Sequence, residues 1–400
     1  MLLTEGADKQ RPTYPLEGVR VLDLTWLMPG GFATLMLADF GAEVIKIERP
    51  GSGDYWRDEQ PQLAGVGARF AALNRNKSSL TLNLKHEKGR AILLDLVESA
   101  DVLIEGFRAG VMARLGLGWH ELSNRNGRLI MLSLSSFGQS GPWRDKASHD
   151  INVMGLSGAL ELSGGADAAP AVPCLPVGDI GAGSLMAVVA ILLALRQLEM
   201  TGEGQAIDIA MLDGLGLWLA PSFFEMRASG TPPRRGRHHV LGGAAWYRAY
   251  RTRCGGSMVV GAYEQRFWSA FCNRMGVPEF INQQFADAEV QQEMMSRLES
   301  LFAARSRAEW EAVFADEDCC VTPSYDLAEA FVSPQMHARK MLATGAGGEA
   351  AHVVNPIRLA GIEPRAATPS PTLGQDSAAV LRRLGLDDEA IAGLRREGVI

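Results

Sequence analysis

Three short segments of this 400-residue chain carry side chains suited to moving protons. His149-Asp150 stands in the polar stretch Asp145 to Asn152, just ahead of an apolar segment, Val153 to Leu160. Asp179 lies in VGDIGAGS, at the mouth of an apolar run, and Glu264 follows a short β-branched run in VVGAYEQ. Taken singly, each has an ordinary explanation: a surface or capping pair, a helix N-cap, a first-turn acid. Taken together they suit one reaction. Removing a proton α to a thioester and returning it on the other face needs two acid/base groups on opposite sides of a carbon, one starting as base and one as acid. An imidazole opposite a carboxylic acid meets that need, and a second carboxylate can orient the imidazole. The enolate oxygen needs donors, for which the N–H groups of the glycine-rich helix start after Asp179 are the candidates.

Basic residues form a second set. Arg49, Arg75, Lys77, Lys85, Arg108 and Arg114 fall mostly at the ends of candidate strands or in the loops after them, where open α/β sheets bind ligands. They read either as phosphate contacts or as solvated surface charges.

The elements that must position these groups repeat a strand–helix–strand pattern. Gly18 to Thr25 is a β-branched run ending in a Pro29-to-Gly31 turn, with a helix expected over Phe32 to Phe40 and a strand over Gly41 to Glu48. Further strands are expected at 79–84, 101–105, 129–135 and 205–210, with helices at 87–99 and 183–198. This is the pattern of a parallel sheet with helices on its faces. A Pro- and Arg-rich linker, Thr231 to His239, marks a change of lobe, and its His238-His239 pair takes no assigned role. Beyond it come a strand (258–262), two helices (265–274 and 304–314), a Pro-rich segment (366–375), a helix (378–384) and an acidic-basic tail. The first strand–turn–helix mimics a dinucleotide site, but Gly30-Gly31-Phe32-Ala33 lacks the G-x-G-x-x-G spacing.

Composition excludes several classes. An apolar fraction of 47% supports a real core, and a formal charge of −7 argues against nucleic acid. The apolar run Leu185 to Leu195 falls short of a membrane span. Five cysteines without C-x-x-C spacing, no signal-peptide pattern and an EGVI ending lead to an expectation of a cytoplasmic protein with no metal site.

Long motifs then give a family resemblance. PLEGVRVLDLT, ADFGAEVIKIERPGSGD, NRNKSSLTLNLK, ADVLIEGFRAGVMARLGLG, RLIMLSLSSFGQSGP, TGEGQAIDIAMLDG and CVTPSYDLAEA follow one another in the order found in the family III CoA-transferase superfamily. Within it, SHDIN (148–152), VGDIGAGS (177–184) and VVGAYEQRFW (259–268) resemble the α-methylacyl-CoA racemase branch. The resemblance implies His149 and Asp179 as acid/base groups, with Glu264 as partner of His149. It implies CoA contacts from Arg49, Leu82, Asn83, Leu84, Lys85, Gly106, Phe107, Arg108, Arg114, Ser148 and Asp150. The implied fold is α/β: a large Rossmann-like parallel-sheet domain (1–225), a linker and small α+β domain (226–340), and a C-terminal return to the large domain (341–400). The resemblance also implies a homodimer in which two chains interlock as rings. The implied activity is epimerisation of 2-methyl-branched acyl-CoA without a cofactor, CoA being part of the substrate. The alternative is an acyl-CoA:carboxylate CoA-transferase with Asp179 as nucleophile.

Overall fold

The computed structural model describes residues 14–344, 350–363 and 365–400. These divide into two compact units, one of residues 14–153, 175–217, 340–344, 350–363 and 365–400 and one of 154–174 and 218–339.

The first unit is built on six parallel strands. They are β1 (Arg20–Leu24), β2 (Glu43–Glu48), β3 (Lys77–Thr81), β4 (Val102–Glu105), β5 (Ile130–Ser135) and β6 (Gln205–Ala210). Their spatial order is 3-2-1-4-5-6, and every pairing is parallel. That is the doubly wound order, in which the crevice between β1 and β4 is where ligands bind. Period-2 alternation sends Leu22, Ile45, Leu80 and Leu103 to one face. There they pack with Ile92, Leu93 and Leu96 of α2 (Glu87–Val97) and with Val380 and Leu381 from the C-terminal segment.

The other face meets α1 (Leu27–Asp39) and carries charge rather than only carbon. Asp23, Lys46 and Lys77 are all fully or nearly fully buried. Lys77 Nζ reaches Asp23 Oδ2 (3.4 Å), Thr34 Oγ1 (2.7 Å), Gly31 O (3.0 Å) and Asn74 Oδ1 (2.9 Å). Asp23 also accepts from the hydroxyls of Thr25 and Thr34. Burial pulls the Lys77 ammonium down to about 8, with Asp23 working against it. Burial pushes the Asp23 carboxyl up, but Lys46, Lys77 and the two hydroxyls hold it below its ordinary value.

Several expectations need correction. The Pro29-Gly30-Gly31 turn is instead the first turn of α1: proline is tolerated there because its missing N–H has no helical partner. Gly30 is required because a Cβ would sit 2.1 Å from the Thr25 side chain. Arg75 and Lys77 are structural, Arg75 bonding Asp39 (2.6 Å) and Lys77 the cluster above. The third strand ends at Thr81, so Leu82–Lys85 is the stretch that leaves it, stitched by Leu82 N–H to Glu48 O and Asn83 N–H to Val399 O (both 2.7 Å). The apolar helix is also longer than its run suggested. A π-helical segment, Gly178–Leu185, runs into the helix Met186–Thr201. The continuous stretch has the length and composition of a membrane span, but half of it is buried in the protein.

The acidic-basic tail is a helix, Asp388–Arg396. Asp387 caps it by accepting from Ala390 N–H, and acids in the first turn and arginines in the last complement its dipole.

The second unit holds an antiparallel sheet of β7 (Tyr247–Arg251), β8 (Ser257–Gly261) and β9 (Val321–Ser324), with β8 central. The helix Gln265–Met275 buries Trp268, Phe271, Cys272 and Met275, the i, i+3, i+4, i+7 stripe of an amphipathic helix. Phe271 stacks on Phe302 and Phe314, and Tyr250 stacks on Phe302.

Removing one partner of a buried pair leaves the other charge uncompensated. Lys77→Met is therefore expected to cost roughly 3–5 kcal/mol of stability in a urea titration. Arg69→Met, at an exposed ion pair with Glu59, is expected to cost no more than about 1 kcal/mol in the same titration.

Candidate active site

A cavity of about 430 Å³ opens at the carboxyl ends of β1, β4 and β5, the point where the strand order reverses. Three loops form its walls: Leu24 to Gly30, Gly106 to Arg108, and Leu134 to Phe137. Each of the first two is held by a buried carboxylate at or near the end of its strand. Asp23 Oδ1 accepts from Thr25 N–H (2.9 Å), and Glu105 Oε2 accepts from Phe107 N–H (2.7 Å). Burial pushes the Glu105 carboxyl up and the charge of Asp208 adds to it, against the bonds from Ser133 and Phe107. Leu27 holds a left-handed backbone, φ +59°, which a branched side chain enters only under constraint. Asp54 supplies that constraint: its Oδ2 accepts from Leu27 N–H at 2.9 Å and faces Lys46 Nζ at 3.5 Å.

His149 and Asp179 both line this cavity. His149 is exposed and stands just before α3 (Asp150–Ser157). Its N–H donates to Asn152 Oδ1 (3.0 Å) and its carbonyl accepts from Asn152 N–H (2.9 Å), a reciprocal turn that fixes the backbone under the imidazole. Asp179 sits in the first turn of the π-helical segment, a geometry that recurs at functional sites. Its own N–H donates to Asp150 Oδ1 at 2.9 Å. Burial, with the Asp150 charge beside it, pushes the Asp179 carboxyl up to about 7. The side chain is therefore a carboxylic acid that titrates where an imidazole ordinarily does. Of the N–H groups after Asp179 that the sequence offered to an enolate oxygen, that of Ile180 donates to Pro176 O (2.9 Å).

The remaining candidates fall into groups. Arg108, Gly106, Phe107 and Ser148 line the cavity, and the Ser148 hydroxyl is buried without a hydrogen-bond partner. Arg49 lies near the ring of Trp26, itself a cavity residue, and bonds Ser52 (2.8 Å). Arg114 ends a short helical turn, Val111–Arg114. Glu264 belongs to the second unit, where it is exposed at the N-cap of Gln265–Met275 and makes no capping bond.

Sequence reasoning missed Arg144 and Lys146, two further cations on the cavity wall, and the Trp26-Leu27 turn. The cations stand within five residues of His149, a signal that was present. The strained turn leaves no mark in residue types. In the second unit, Glu225, His238 and His239 bring possible metal-ligating atoms within 4.8 Å of one another. There His238 Nε2 lies 2.8 Å from Glu225 Oε1, and the His239 ring is tilted against that of His238 with 4.1 Å between centroids.

The family model for CoA-transferase family III matches residues 16–377, which is nearly the whole architecture just described. The chain belongs to CoA-transferase family III. Among curated members it is 36% identical to the alpha-methylacyl-CoA racemase of Mus musculus, over 96% of this chain and 97% of that one. It is 34% identical to the acetyl-CoA:oxalate CoA-transferase of Acetobacter aceti, over 92% and 96%. Among solved structures, a CAIB/BAIF family protein from Brucella suis superposes with a TM-score of 0.82 at 29% identity, covering 93% of this chain and 99% of that one. Racemases and transferases of the family thus lie at similar distances, and the chain is an enzyme of the family in one of these two roles.

The Asp150–Asp179 contact leaves no room for a side chain at Gly178, where a Cβ would stand 2.8 Å from Asp150 Oδ1. Gly178→Ala is expected to lose about 1–3 kcal/mol in chemical denaturation, the usual range for overpacking. Gly216→Ala, in the helix Met211–Trp218 with nothing within 4 Å of a Cβ, is expected to be neutral or stabilising.

Proposed function

We propose that this family III enzyme is an α-methylacyl-CoA racemase, epimerising the α-carbon of 2-methyl-branched acyl-CoA thioesters. The observation that carries the reading is the Asp179 carboxyl, raised to about 7 in the same cavity as His149. An acid/base group works best with a proton affinity near the working pH, whereas a carboxylate nucleophile is served by being ionised. In one direction neutral His149 takes the α-proton, the electron pair moves onto the thioester oxygen, and protonated Asp179 returns a proton to the opposite face. The other direction exchanges the roles, and each turnover leaves one group protonated.

CoA is here part of the substrate, and no further cofactor enters these steps. Arg49, Arg108 and Arg114 supply cations for its phosphates and Leu82–Lys85 a backbone edge, while the unpartnered Ser148 hydroxyl is the donor offered to the thioester. Glu264 is assigned the orienting role toward His149. We also take the working form to be the interlocked homodimer. Val189, Leu192 and Leu193 on the helix Met186–Thr201 are exposed, as are Phe223 and Phe224 on Ala220–Ser229, and apolar faces of that kind mark association surfaces. The five free cysteines suit the reducing cytoplasm.

The second reading, CoA transfer with Asp179 attacking the acyl carbonyl, is supported by the transferases among the relatives. One experiment separates the two. Racemisation predicts that 2-methylacyl-CoA in deuterated water gains deuterium at the α-carbon and loses optical purity with no carboxylate acceptor present. His149→Ala should reduce the exchange by at least about 100-fold while CoA-ester binding persists. Exchange absent in the parent protein, together with an acyl-linked Asp179 adduct by mass spectrometry, would establish transfer instead. For the direction in which Asp179 is the donor, its protonated form is the active one. Exchange should therefore fall as pH rises through about 7.

Arg108→Ala is expected to raise the Kd for CoA about tenfold or more by titration calorimetry, the loss of one charge-assisted contact. An unchanged Kd would remove Arg108 from the phosphate contacts.

A further inference from the structure

Asp150 is set between the two groups to which the proton transfer was assigned. It follows His149 in the chain, and its side chain bonds the backbone of Asp179, twenty-nine residues on. The same oxygen that accepts the Asp179 N–H stands 2.8 Å from where a Cβ on Gly178 would be, so it is approached closely from both residues. The bond is partly buried, which lessens the screening of the charge by solvent. Arg108, Arg144, Lys146 and His149 share the cavity wall with Asp179 and are its cationic or ionisable neighbours there. Asp150 is the anion against it.

We propose that Asp150 is a positioning residue for the acid–base pair: one carboxylate oxygen ties the His149 turn to the Asp179 turn, and its charge adds to burial in opposing a second negative charge there. The two tasks are separable because a side-chain amide keeps an oxygen in the same place. In Asp150→Asn the amide oxygen still accepts the Asp179 N–H while the charge is gone. In Asp150→Ala both are lost. This inference rests on the proton-transfer reading of the site, yet its central claim concerns the free protein and is measured without substrate.

The experiment is an infrared difference titration of the full-length protein, with Asp179→Asn as the blank, so that the carboxyl band read is that of Asp179. The parent protein is expected to titrate near 7. Asp150→Asn should lower that midpoint by about one pH unit or more, the size of effect a neighbouring like charge exerts. Hydrogen exchange at the Asp179 amide should be unchanged in Asp150→Asn and about fivefold or more faster in Asp150→Ala, the loss of one ordinary hydrogen bond. In α-proton exchange, the alkaline limb should move to lower pH in Asp150→Asn by the same amount as the infrared midpoint.

An Asp179 midpoint that stays in place in Asp150→Asn overturns the electrostatic half of the proposal. Should that variant fail to fold, Asp150→Ala must show the same downward shift. An amide exchange rate that is the same in Asp150→Ala as in the parent overturns the positioning half. A parent protein that titrates as expected but exchanges no α-proton removes the racemase reading and leaves the Asp150–Asp179 coupling standing, so the two failures are distinguishable.

Discussion

Buried carboxylates at the carboxyl ends of the strands are the constraint on which this site depends. Where a parallel strand stops, its loop must turn over the sheet edge, and the first free N–H groups need acceptors that water cannot supply. Asp23 takes the N–H of Thr25, Glu48 that of Asp54 (3.1 Å), and Glu105 that of Phe107. A charge in that position is itself costly, and the costs are met differently. Burial pushes Glu48 up, but the bidentate Arg57 (2.8 and 2.6 Å) with Lys46 holds it below its ordinary value. Asp23 has Lys46 and Lys77. At Glu105, burial and the charge of Asp208 push the carboxyl up instead. The cavity walls are thus the visible ends of an ionic layer beneath them.

The same physics divides labour among the acids. Asp23 and Glu48, surrounded by cations, stay ionised and hold backbone. Asp179, buried and with a carboxylate rather than a cation beside it, has its carboxyl pushed up to about 7. No difference in residue type separates these roles; neighbours within a few ångströms do.

Much of this was legible in the residues. The β-branched runs around Val21, Val44, Leu103 and Leu132 announced the strands, and the positions of His149, Asp150 and Asp179 followed from motifs. What failed to show was direction. Arg75 and Lys77 have the type and spacing of ligand contacts, but both point inward, Arg75 to Asp39 and Lys77 to Asp23. Pro29-Gly30-Gly31 carries the residues of a turn and forms a helix start, since the glycine is required by contact with Thr25 rather than by backbone conformation. The final helix was hidden because Asp387 to Arg396 has a charge gradient suited to a helix but few apolar residues to set a period. The left-handed Leu27 could not be read at all: what holds it is Asp54, twenty-seven positions away.

The π-helical turn that carries Asp179 has an evolutionary corollary. A π turn is an α-helix with one residue too many, so deleting a single residue between Gly178 and Leu185 would restore regular winding and swing the preceding side chains about 100° around the axis. Substitution can be absorbed where a position has room for it, as Gly178 does not, but a change in the length of the stretch cannot. Among relatives that keep the aspartate, the segment should therefore drift in composition while its residue count stays frozen, a counting rule that separates members with a working carboxyl from those in which it has turned away.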